Sequence, residues 1–445
     1  MSHYKPYPAY RDSGVEWIGE VPERWSLLRL ANIGPLMKAN GGNKQDDADN
    51  GIPCIRYGDL YTTYDLLIRH IEKFIIPTAE TDYTVIQYGD ILFAASGETF
   101  EEIGKSAVNL TETHACCGGD VIVLRPQRKI DPVYLAYAAG SSLAKAQKSL
   151  MGKGFTVIHI YGDQLRNLVI AAPSEQEQKL IGAKIENETA RIDSLIAKKT
   201  RFIELLKEKR QALITQAVTK GLDPNVKMKD SGVEWIGEVP EHWDTYRMAT
   251  LFKEAVRAGR HDLPILSISI HNGITDEELD PDERNRQISQ IEDRTKYKRV
   301  VIDDLAYNMM RAWQGAFGAV KVEGLVSPAY VVAEPIRDFR TSYIELLLRT
   351  PMAVEEMRRF SRGIADFRMR LYWEYFRDLV VCLPPLFEQD SILERISSES
   401  ARIDLLSKKT QLSIDLLKER RSAFITAAVT GKIDLRDMSI TKEQS

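Results

Sequence analysis

The chain has 445 residues, of which 44% are hydrophobic and 28% are charged, and its formal net charge is −4. This length predicts two to four domains, each with a core of its own. The charge excludes a surface that is basic all over, although a local basic cluster could still bind nucleic acid. No run of residues approaches the roughly 18 apolar positions of a membrane helix. We expect no signal peptide, because the first residues lack a central apolar run.

The cysteines predict free, buried thiols in a reducing, cytoplasmic setting, since none forms a C-x-x-C pair. They are Cys54, Cys116, Cys117 and Cys382. We expect the segment Cys116–Gly119 to form a tight turn in the core. No metal site is expected, because adjacent cysteines make a poor zinc clamp and the histidines are scattered.

A long internal repeat organises the chain. Asp12–Glu23 reads DSGVEWIGEVPE, and Asp230–Glu241 repeats it residue for residue. Trp25 and Trp243 follow the two copies. The period is far longer than that of a solenoid, so we interpret it as the duplication of a whole structural plan.

The first half begins with a loop-rich segment up to Trp25 and continues as a mixed α/β domain. Pro132–Lys148 has the apolar spacing of a helix. Runs rich in β-branched or apolar residues predict strands, at Ile91–Ala95, Val121–Leu124 and Leu168–Ala171.

A long helix is predicted from Ser174 to Thr219. Ser174 and Glu177 have the spacing of a capping box, and Gly221 is placed to end the helix. Apolar residues recur in steps of three, four or seven, with Phe202 among them, so one stripe should face a partner helix. The residues expected in the core of that helix pair are Ile192, Leu195, Leu206, Leu213, Ile403, Leu406 and Leu417.

The second half repeats this order. A second α/β domain should end at Pro384–Pro385, and a second long helix should end near Gly431. The tail Asp437–Ser445 is polar, so we expect it to fray. The predicted strands of this half are Ile265–Ile270, Val300–Tyr307, Ala329–Val332 and Leu379–Leu383.

These patterns predict a mixed α/β (α+β) fold with two domains related by pseudo-two-fold symmetry and separated by two long antiparallel helices. The start of the chain resembles what would follow the second helix, so the plan is cyclic. The predicted division is 1–173 for the first domain, 174–221 for the first spacer helix, 222–385 for the second domain, 386–432 for the second helix and 433–445 for the tail.

Motifs of catalysis are missing from the sequence. Gly104-Lys105-Ser106 resembles the end of a phosphate-binding loop, but Thr99 stands where that motif needs a glycine. We find no dinucleotide-binding turn, no zinc-protease motif, no G-x-S-x-G elbow and no Asn-Pro-Pro-aromatic tetrad of an amino-methyltransferase. We therefore expect this polypeptide to catalyse nothing.

Several segments of the sequence stand out together. They are SGVEWIGEVPEHW at Ser231–Trp243 with its copy at Ser13–Trp25, LPPLFEQ at Leu383–Gln389, and the helix ends KEKRQALITQAVT and KERRSAFITAAVT. In this combination they resemble the specificity (S) subunit of type I restriction–modification systems. The resemblance covers nearly the whole chain. It implies two target-recognition domains that each read one half of a bipartite double-stranded DNA site.

The resemblance also implies the partners. The repeated segments would bind two modification (M) subunits, and through them restriction (R) subunits. Methyl transfer and ATP-driven cleavage would belong to those subunits, so S-adenosylmethionine, ATP and Mg²⁺ are expected there and no cofactor is expected on this chain. The helices would set the gap between the half-sites.

Candidate DNA contacts in the second domain come from two segments. Arg358–Arg377 is dense in arginine and aromatics, and arginine offers a bidentate fork to guanine. The alternative is a solvated helix face with Phe360, Phe367 and Trp373 in the core. Met310–Gly315 is similar to loops of family members, and glutamine suits adenine; the alternative is a structural turn. The candidates are Arg311, Trp313, Gln314, Arg359, Arg362, Arg368 and Arg370.

Candidate contacts in the first domain lie where the family carries recognition loops. One loop follows a predicted strand, and the other precedes the last strand. Glycines there would let the backbone approach DNA, whereas the alternative is a pair of plain connections. The candidates are Ser96, Gly97, Thr99, Lys105, Gly152 and Lys153.

Three questions stay open at this point. Trp17, Trp25, Trp235 and Trp243 could be core residues or face a partner subunit. The chain could instead be a stand-alone DNA methyltransferase, which S-adenosylmethionine would label by crosslinking. It could also be a two-fold scaffold that ignores DNA, which a salt titration of DNA binding would detect.

Overall fold

The structure, a computed structural model, describes residues 4–270, 273–275, 293–361 and 369–436. It divides into two compact units. Unit 1 comprises Met1–Thr200 with Leu412–Ser445, and unit 2 comprises Arg201–Gln411. Both long helices contribute to both units, because each boundary falls inside a helix. Among the described residues, no helix is long and apolar enough to cross a membrane.

Unit 1 is a mixed α/β unit. Its helices are α1 (Tyr57–Thr62), α2 (Pro132–Gly140), α3 (Ser142–Met151), α4 (Gly162–Leu165) and the first part of α5 (Glu175–Lys220). Its strands are β1 (Tyr10–Asp12), β2 (Glu20–Pro22), β3 (Ser26–Arg29), β4 (Leu36–Lys38), β5 (Asp47–Ala48), β6 (Ile52–Ile55), β7 (Leu67–Ile68), β8 (Phe74–Ile75), β9 (Thr84–Ile86), β10 (Ile91–Ala94), β11 (Ser96–Gly97), β12 (Ser106–Asn109), β13 (Ala115–Cys117), β14 (Val121–Leu124), β15 (Lys153–Gly154), β16 (Ile158–His159) and β17 (Val169–Ala172).

Two five-stranded sheets form the centre of unit 1, in the orders β4-β14-β10-β12-β7 and β5-β8-β6-β13-β9. Every residue of β10, β12 and β14 is buried. Strands that are buried on both faces read as continuous apolar runs, which is why the sequence predicts β10 and β14 so well. A third, smaller sheet of unit 1 has three strands in the order β11-β16-β15.

Two predictions for unit 1 are wrong in detail. The helix expected over Pro132–Lys148 is two helices, because Ser141 has extended backbone angles and its hydroxyl caps α3. Serine competes with the helix for backbone hydrogen bonds, so it favours such a cap. Cys116 and Cys117 lie in strand β13, not in a turn. All four cysteines are buried and free.

Unit 2 repeats the central sheet of unit 1 with fewer strands, in the order β21-β28-β25-β26. Its helices are α6 (Met248–Leu251), α7 (Thr341–Leu348), α8 (Pro351–Phe360), α9 (Trp373–Phe376) and most of α10 (Leu386–Val429). Its strands are β18 (Met228–Asp230), β19 (Glu238–Pro240), β20 (Asp244–Arg247), β21 (Phe252–Glu254), β22 (Ile268–Ser269), β23 (Gly273–Ile274), β24 (Lys298–Val300), β25 (Leu305–Asn308), β26 (Phe317–Ala319), β27 (Gly324–Val326), β28 (Tyr330–Pro335) and β29 (Val380–Leu383).

The strand expected over Val300–Tyr307 is two strands. Asp303 lies between them with a φ of 71°, and a strand cannot continue through such a left-handed residue. The run Ile265–Ile270 contributes only the short β22. The strands near Ala329 and Leu379 are present as β28 and β29.

The two long helices pair antiparallel in each unit. In unit 1, Gln178 and Val429 both contact the start of α2, whereas Glu188 pairs with Arg420 at 2.9 Å. Residue numbers therefore rise along α5 as they fall along α10. Unit 2 shows the same order, with Gln389 and Val218 at the start of α7 and Arg210 paired with Asp404 at 2.8 Å.

The predicted helix-pair core is only partly right. Ile192, Leu206 and Ile403 are buried, but Leu195, Phe202 and Leu406 are exposed. Leu213 and Leu417 are half-buried. A two-helix seam covers a narrow stripe, so neighbouring apolar residues at helical spacing stay outside it.

The ends of both long helices are held by the same contacts. Gln178 donates to the carbonyl of Pro173 at 2.9 Å, and Gln389 does the same to Pro384 at 2.9 Å. The hydroxyl of Tyr134 donates to the carbonyl of Val429 at 3.2 Å, as that of Tyr343 does to Val218 at 2.8 Å.

The capping box predicted at the start of α5 is half formed. Ser174 accepts from the Glu177 amide, but the Glu177 carboxylate accepts from the hydroxyl of Tyr7.

The repeated segment forms a hairpin in each unit, β1–β2 and β18–β19. In unit 1, residues after α10 close onto this hairpin, since Lys5 bridges Asp434 and Lys432 donates to Glu20. In unit 2, Lys220 donates to the equivalent carbonyl of Glu238. The predicted cyclic plan therefore describes both units. The tail Asp437–Ser445 lies outside the described residues.

Candidate nucleic-acid interface

Both sets of candidate residues follow the same central strand of their sheets. In unit 1 the first loop follows β10, which lies between β12 and β14. In unit 2 the segment Met309–Ala316 follows β25, which lies between β26 and β28. The sequence did not reveal this equivalence, because the two domains share no motif there.

The small sheet of unit 1 brings its two candidate loops together. Ser96 pairs with His159, and Lys153 pairs with His159 from the other side. Strand β16 therefore joins the loop after β10 to the loop after α3. Residues about 55 positions apart in sequence form one surface, whereas sequence analysis treated them as separate loops.

Ser96 and the glycines of this surface face protein atoms. Ser96 is buried, and its Oγ lies 3.0 Å from Nδ1 of His159. A Cβ atom on Gly97 would lie 2.8 Å from the hydroxyl of Tyr61, and one on Gly152 would lie 2.9 Å from the Ile158 side chain. Close packing within the protein thus accounts for both glycines.

The other candidates of unit 1 differ in exposure. Thr99 and Lys153 are exposed. Lys105 is half-buried, its Nζ donates to the carbonyl of Tyr61 at 3.2 Å, and burial lowers its pKa. Thr99 and Lys153 are therefore better placed than Lys105 to reach a ligand.

Phe155 lies in the second candidate loop of unit 1 but was not among the predicted contacts. It lies at the tip of the β15–β16 hairpin with its side chain 101% exposed. Aromatic side chains normally stabilise a fold by being buried, and the Phe155 ring makes no such contribution because it contacts no core. The signal was present in the sequence, because Phe155 stands between Gly154 and Thr156 in a short loop that contains a second glycine, Gly152.

The charge of this surface is mixed. Glu98, Glu101 and Glu102 are exposed on the first loop. Carboxylates repel phosphates, but they accept hydrogen bonds from the amino group of cytosine. This loop is therefore suited to base edges, and Lys153 on the hairpin to phosphates.

In unit 2 the candidates Trp313 and Gln314 lie on a single 3-10 turn, Ala312–Gln314, and the candidate Arg311 immediately precedes it. Gly315 ends the turn with a φ of 88°, which favours glycine. Trp313 is half-buried and donates from its ring to the carbonyl of Met310 at 3.0 Å. Arg311 and Gln314 are exposed, so the turn presents one cation and one amide outward.

Two further segments approach this turn. The guanidinium of Arg358, at the end of α8, lies 5.6 Å from the Trp313 ring centroid. The amide of Leu371 donates to the carbonyl of Met309 at 3.0 Å, which brings the exposed Arg370 alongside. Both arginines thus join the turn, although Arg358 was not among the predicted contacts.

Arg359 points elsewhere, toward the carboxylates of Glu356 at 3.3 Å and Glu234 at 3.7 Å. Arg362 and Arg368, with Phe367, lie outside the described residues. Phe360 and Trp373 are partly buried against the core, as the alternative interpretation expected. Of the repeated tryptophans, Trp25 and Trp243 are core residues, whereas Trp235 is half-buried and Trp17 is exposed.

Within residues 4–270, 273–275, 293–361 and 369–436, no group of three or more His, Cys, Asp or Glu side chains could hold a metal ion.

Comparison with known proteins shows what the chain is similar to. Residues 22–205 match the family model described as type I restriction modification DNA specificity domain. The resemblance expected from the sequence is thus confirmed, and relatives extend it along the chain.

The Escherichia coli (strain K12) type I restriction enzyme EcoKI specificity subunit is 24% identical over 93% of this chain and 90% of that protein. The MjaVIII specificity subunit of Methanocaldococcus jannaschii is 25% identical over 94% of this chain and 95% of that protein. The chain is therefore a relative of type I specificity subunits over nearly its full length.

Solved structures confirm the mixed α/β fold with long helices. A chain from a study of complex assembly and conformational transition of the type I R-M system aligns with a TM-score of 0.67 and 15% identity, over 93% of this chain and 99% of that one. The HsdS subunit from Thermoanaerobacter tengcongensis aligns with a TM-score of 0.53 and 16% identity, over 93% of this chain and 98% of that one.

Proposed function

We propose that the chain is the DNA sequence-specificity subunit of a type I restriction–modification complex and reads a bipartite target. Unit 1 recognises one half-site and unit 2 the other. The observation that carries this proposal is that equivalent positions after β10 and β25 bear different side chains on a duplicated frame. Different side chains read different bases.

The two surfaces differ in the bases that they suit. Arg311 and Arg370 of unit 2 are exposed arginines, which form bidentate hydrogen bonds with guanine, and Gln314 pairs similarly with adenine. Unit 1 offers carboxylates, Thr99, Lys153 and the exposed ring of Phe155. The half-sites should accordingly differ in sequence.

The duplicated frame supports docking of two identical modification (adenine methyltransferase) subunits, and through them of restriction subunits. Apolar side chains on the long helices remain exposed in each unit, and exposed apolar patches mark interfaces. In unit 1 they are Leu195, Leu412 and Leu416, and in unit 2 they are Phe202, Leu205, Leu405 and Leu406. Methyl transfer and cleavage, with S-adenosylmethionine, ATP and Mg²⁺, belong to the partner subunits in this proposal.

Methylation tests the proposal directly. The purified chain, mixed with the modification subunits of its system, should direct adenine methylation to one split DNA target. Replacing Arg311 and Gln314 together with alanine should relax only one half-site, by about 1–3 kcal/mol for each lost bidentate contact. Methylation that is unchanged when this chain is omitted would refute the proposal.

The salt dependence of binding separates DNA recognition from a purely structural role. Affinity for the target should fall as salt rises, with a slope set by the number of phosphates contacted. A complex that assembles with both modification subunits but shows no target preference at any salt concentration would favour a scaffold.

A further inference from the structure

Lys148 of α3 is an amine buried inside unit 1, with 1% of its surface exposed. Its Nζ donates to the carbonyl of Gly104 at 2.7 Å and to that of Ala139 at 3.1 Å. The Nζ also lies 5.7 Å from the ring centroid of the buried Phe93. Lysine is almost never buried without a partner. We therefore expect the buried amine of Lys148 to have a specific role.

The two carbonyls belong to different parts of unit 1. Gly104 ends the loop that follows β11, and Ala139 lies in the last turn of α2. Lys148 itself precedes Gly152, where α3 passes into the β15–β16 hairpin. One side chain therefore bridges the two chain segments that form the surface of unit 1. A Cβ atom on Gly104 would lie 3.0 Å from Cδ of Lys148, so glycine leaves room for this approach.

The environment of the amine favours its neutral form. Burial, together with the charge of Lys145 on the same helix, lowers the pKa of Lys148 to about 7. The loop and α2 face Nζ with backbone carbonyls, and β10 faces it with Phe93. In the part of unit 1 that the structure describes, no acidic side chain pairs with Lys148. A neutral amine has two N–H donors, which the two carbonyls accept.

The second unit offers an internal comparison. Ser141 caps α3 and Thr350 caps α8. Met357 follows Thr350 at the same interval at which Lys148 follows Ser141, and it is also 1% exposed. An unbranched apolar side chain therefore fills this position in the duplicate, so the amine is not needed to bury the helix.

We infer that Lys148 is a positioning residue that holds the Glu98–Lys105 loop and the β15–β16 hairpin in the arrangement that recognises the first half-site. This inference rests on the proposed function. Because both carbonyls lose a buried donor when the amine is removed, the loop should lose its fixed position while the core remains packed.

Lys148→Met, the side chain that the duplicate uses, tests this inference in the complete complex with its modification subunits. We expect about tenfold weaker discrimination at the first half-site, since leaving the loop's own carbonyl, that of Gly104, without its donor costs about that factor. Discrimination at the second half-site should not change. Hydrogen exchange of residues 98–105 and 152–159, measured without DNA, should rise in the variant.

The pH profile separates positioning from simple packing. Above pH 7 the folded protein holds a neutral amine, and below it the buried site carries a charge. Wild-type discrimination at the first half-site should therefore fall about tenfold between pH 8.5 and pH 6, with a midpoint near pH 7, and Lys148→Met should show a flat profile.

Lys145→Met is the matched control. It removes a neighbouring cation from the same helix but keeps both hydrogen bonds, so discrimination should persist and the midpoint should move upward. The inference would be overturned, and the proposed function would stand, if Lys148→Met discriminated as well as the wild type. Its affinity, hydrogen exchange and pH profile would then also match those of the wild type. A wild-type complex without any target preference would instead overturn the proposed function.

Discussion

Phe155 is exposed to a degree that folding alone does not explain. We expect that its ring contacts bases, because apolar side chains at hairpin tips can insert between base steps. Replacing Phe155 with alanine should weaken binding to the first half-site by about 1–3 kcal/mol, as for other base–aromatic contacts. The melting temperature should not change, since the ring contacts no core. Fluorescence anisotropy and thermal unfolding measure the two effects.

Tyr88→Ala is the control for this prediction. Tyr88 is also an exposed aromatic residue of unit 1, but it precedes β10, whereas the candidate loop follows that strand. Its removal should leave DNA affinity unchanged. Equal losses in both variants would contradict a specific role for Phe155.

The sequence predicted which loops carry candidate residues, but not the direction in which each side chain points. Arg311 and Gln314 were predicted as DNA contacts in a loop that follows a strand, and both side chains are exposed. Ser96 and Lys105 were chosen by the same logic, yet both are turned toward protein atoms. Position in a loop is visible in a sequence, whereas the direction of a side chain depends on neighbours far away in the chain.

At the scale of elements, the junctions between domain and helix make the same contacts in both units. Gln178 is 4% exposed; it donates to the carbonyl of Pro173, and its side-chain oxygen accepts from the amide of Asp131. Replacing Gln178 with alanine should destabilise unit 1 by about 1–3 kcal/mol, because both buried groups lose their partners. Chemical denaturation monitored by hydrogen exchange of α2 measures this loss.

Two further variants test that prediction, one at the equivalent position of unit 2 and one at an exposed position. Gln389→Ala should cost a similar amount in unit 2, where the same contacts recur with Pro384 and Arg340. Gln211→Ala, at an exposed position of α5, should have little effect. If all three variants unfold alike, the junction does not contribute to stability in this way.

Helix boundaries were predictable because local chemistry sets them. Gly221 and Gly431 both have a φ near 70–80°, at 77° and 71°, and each follows a long helix. Sheet order was not predictable, since β14 pairs with β4 across more than 80 residues and nothing local records that choice. The exposed leucines of the helices were misassigned for a related reason, because periodicity identifies an apolar face without giving its width.

At the scale of the whole molecule, duplication was the strongest prediction, and the units explain why. Each unit needs the end of one long helix and the start of the other, as the contacts of Val429 and Gln178 in unit 1 show. Identical segments therefore recur where identical contacts are made. The surfaces after β10 and β25 make no such contacts, and their sequences have diverged.

The continuity of both helices leads to the last prediction, which rests on the proposed function. Helix α5 is unbroken through Thr200, and α10 is unbroken through Gln411. Inserting seven helix-forming residues after each position should preserve the helix pairing in both units, because seven residues are about two turns. The insertion lengthens each helix by about 10 Å, which corresponds to about three base pairs of DNA.

Methylome sequencing of cells that carry the double insertion with the modification subunits should show both half-sites unchanged and the gap widened. A single insertion after Thr200 is the control. It leaves α5 longer than α10, so that Glu188 and Arg210 cannot both stay paired with Arg420 and Asp404, and stability should fall. Altered half-sites with the original gap in the double insertion would show that the helices do not set the spacing.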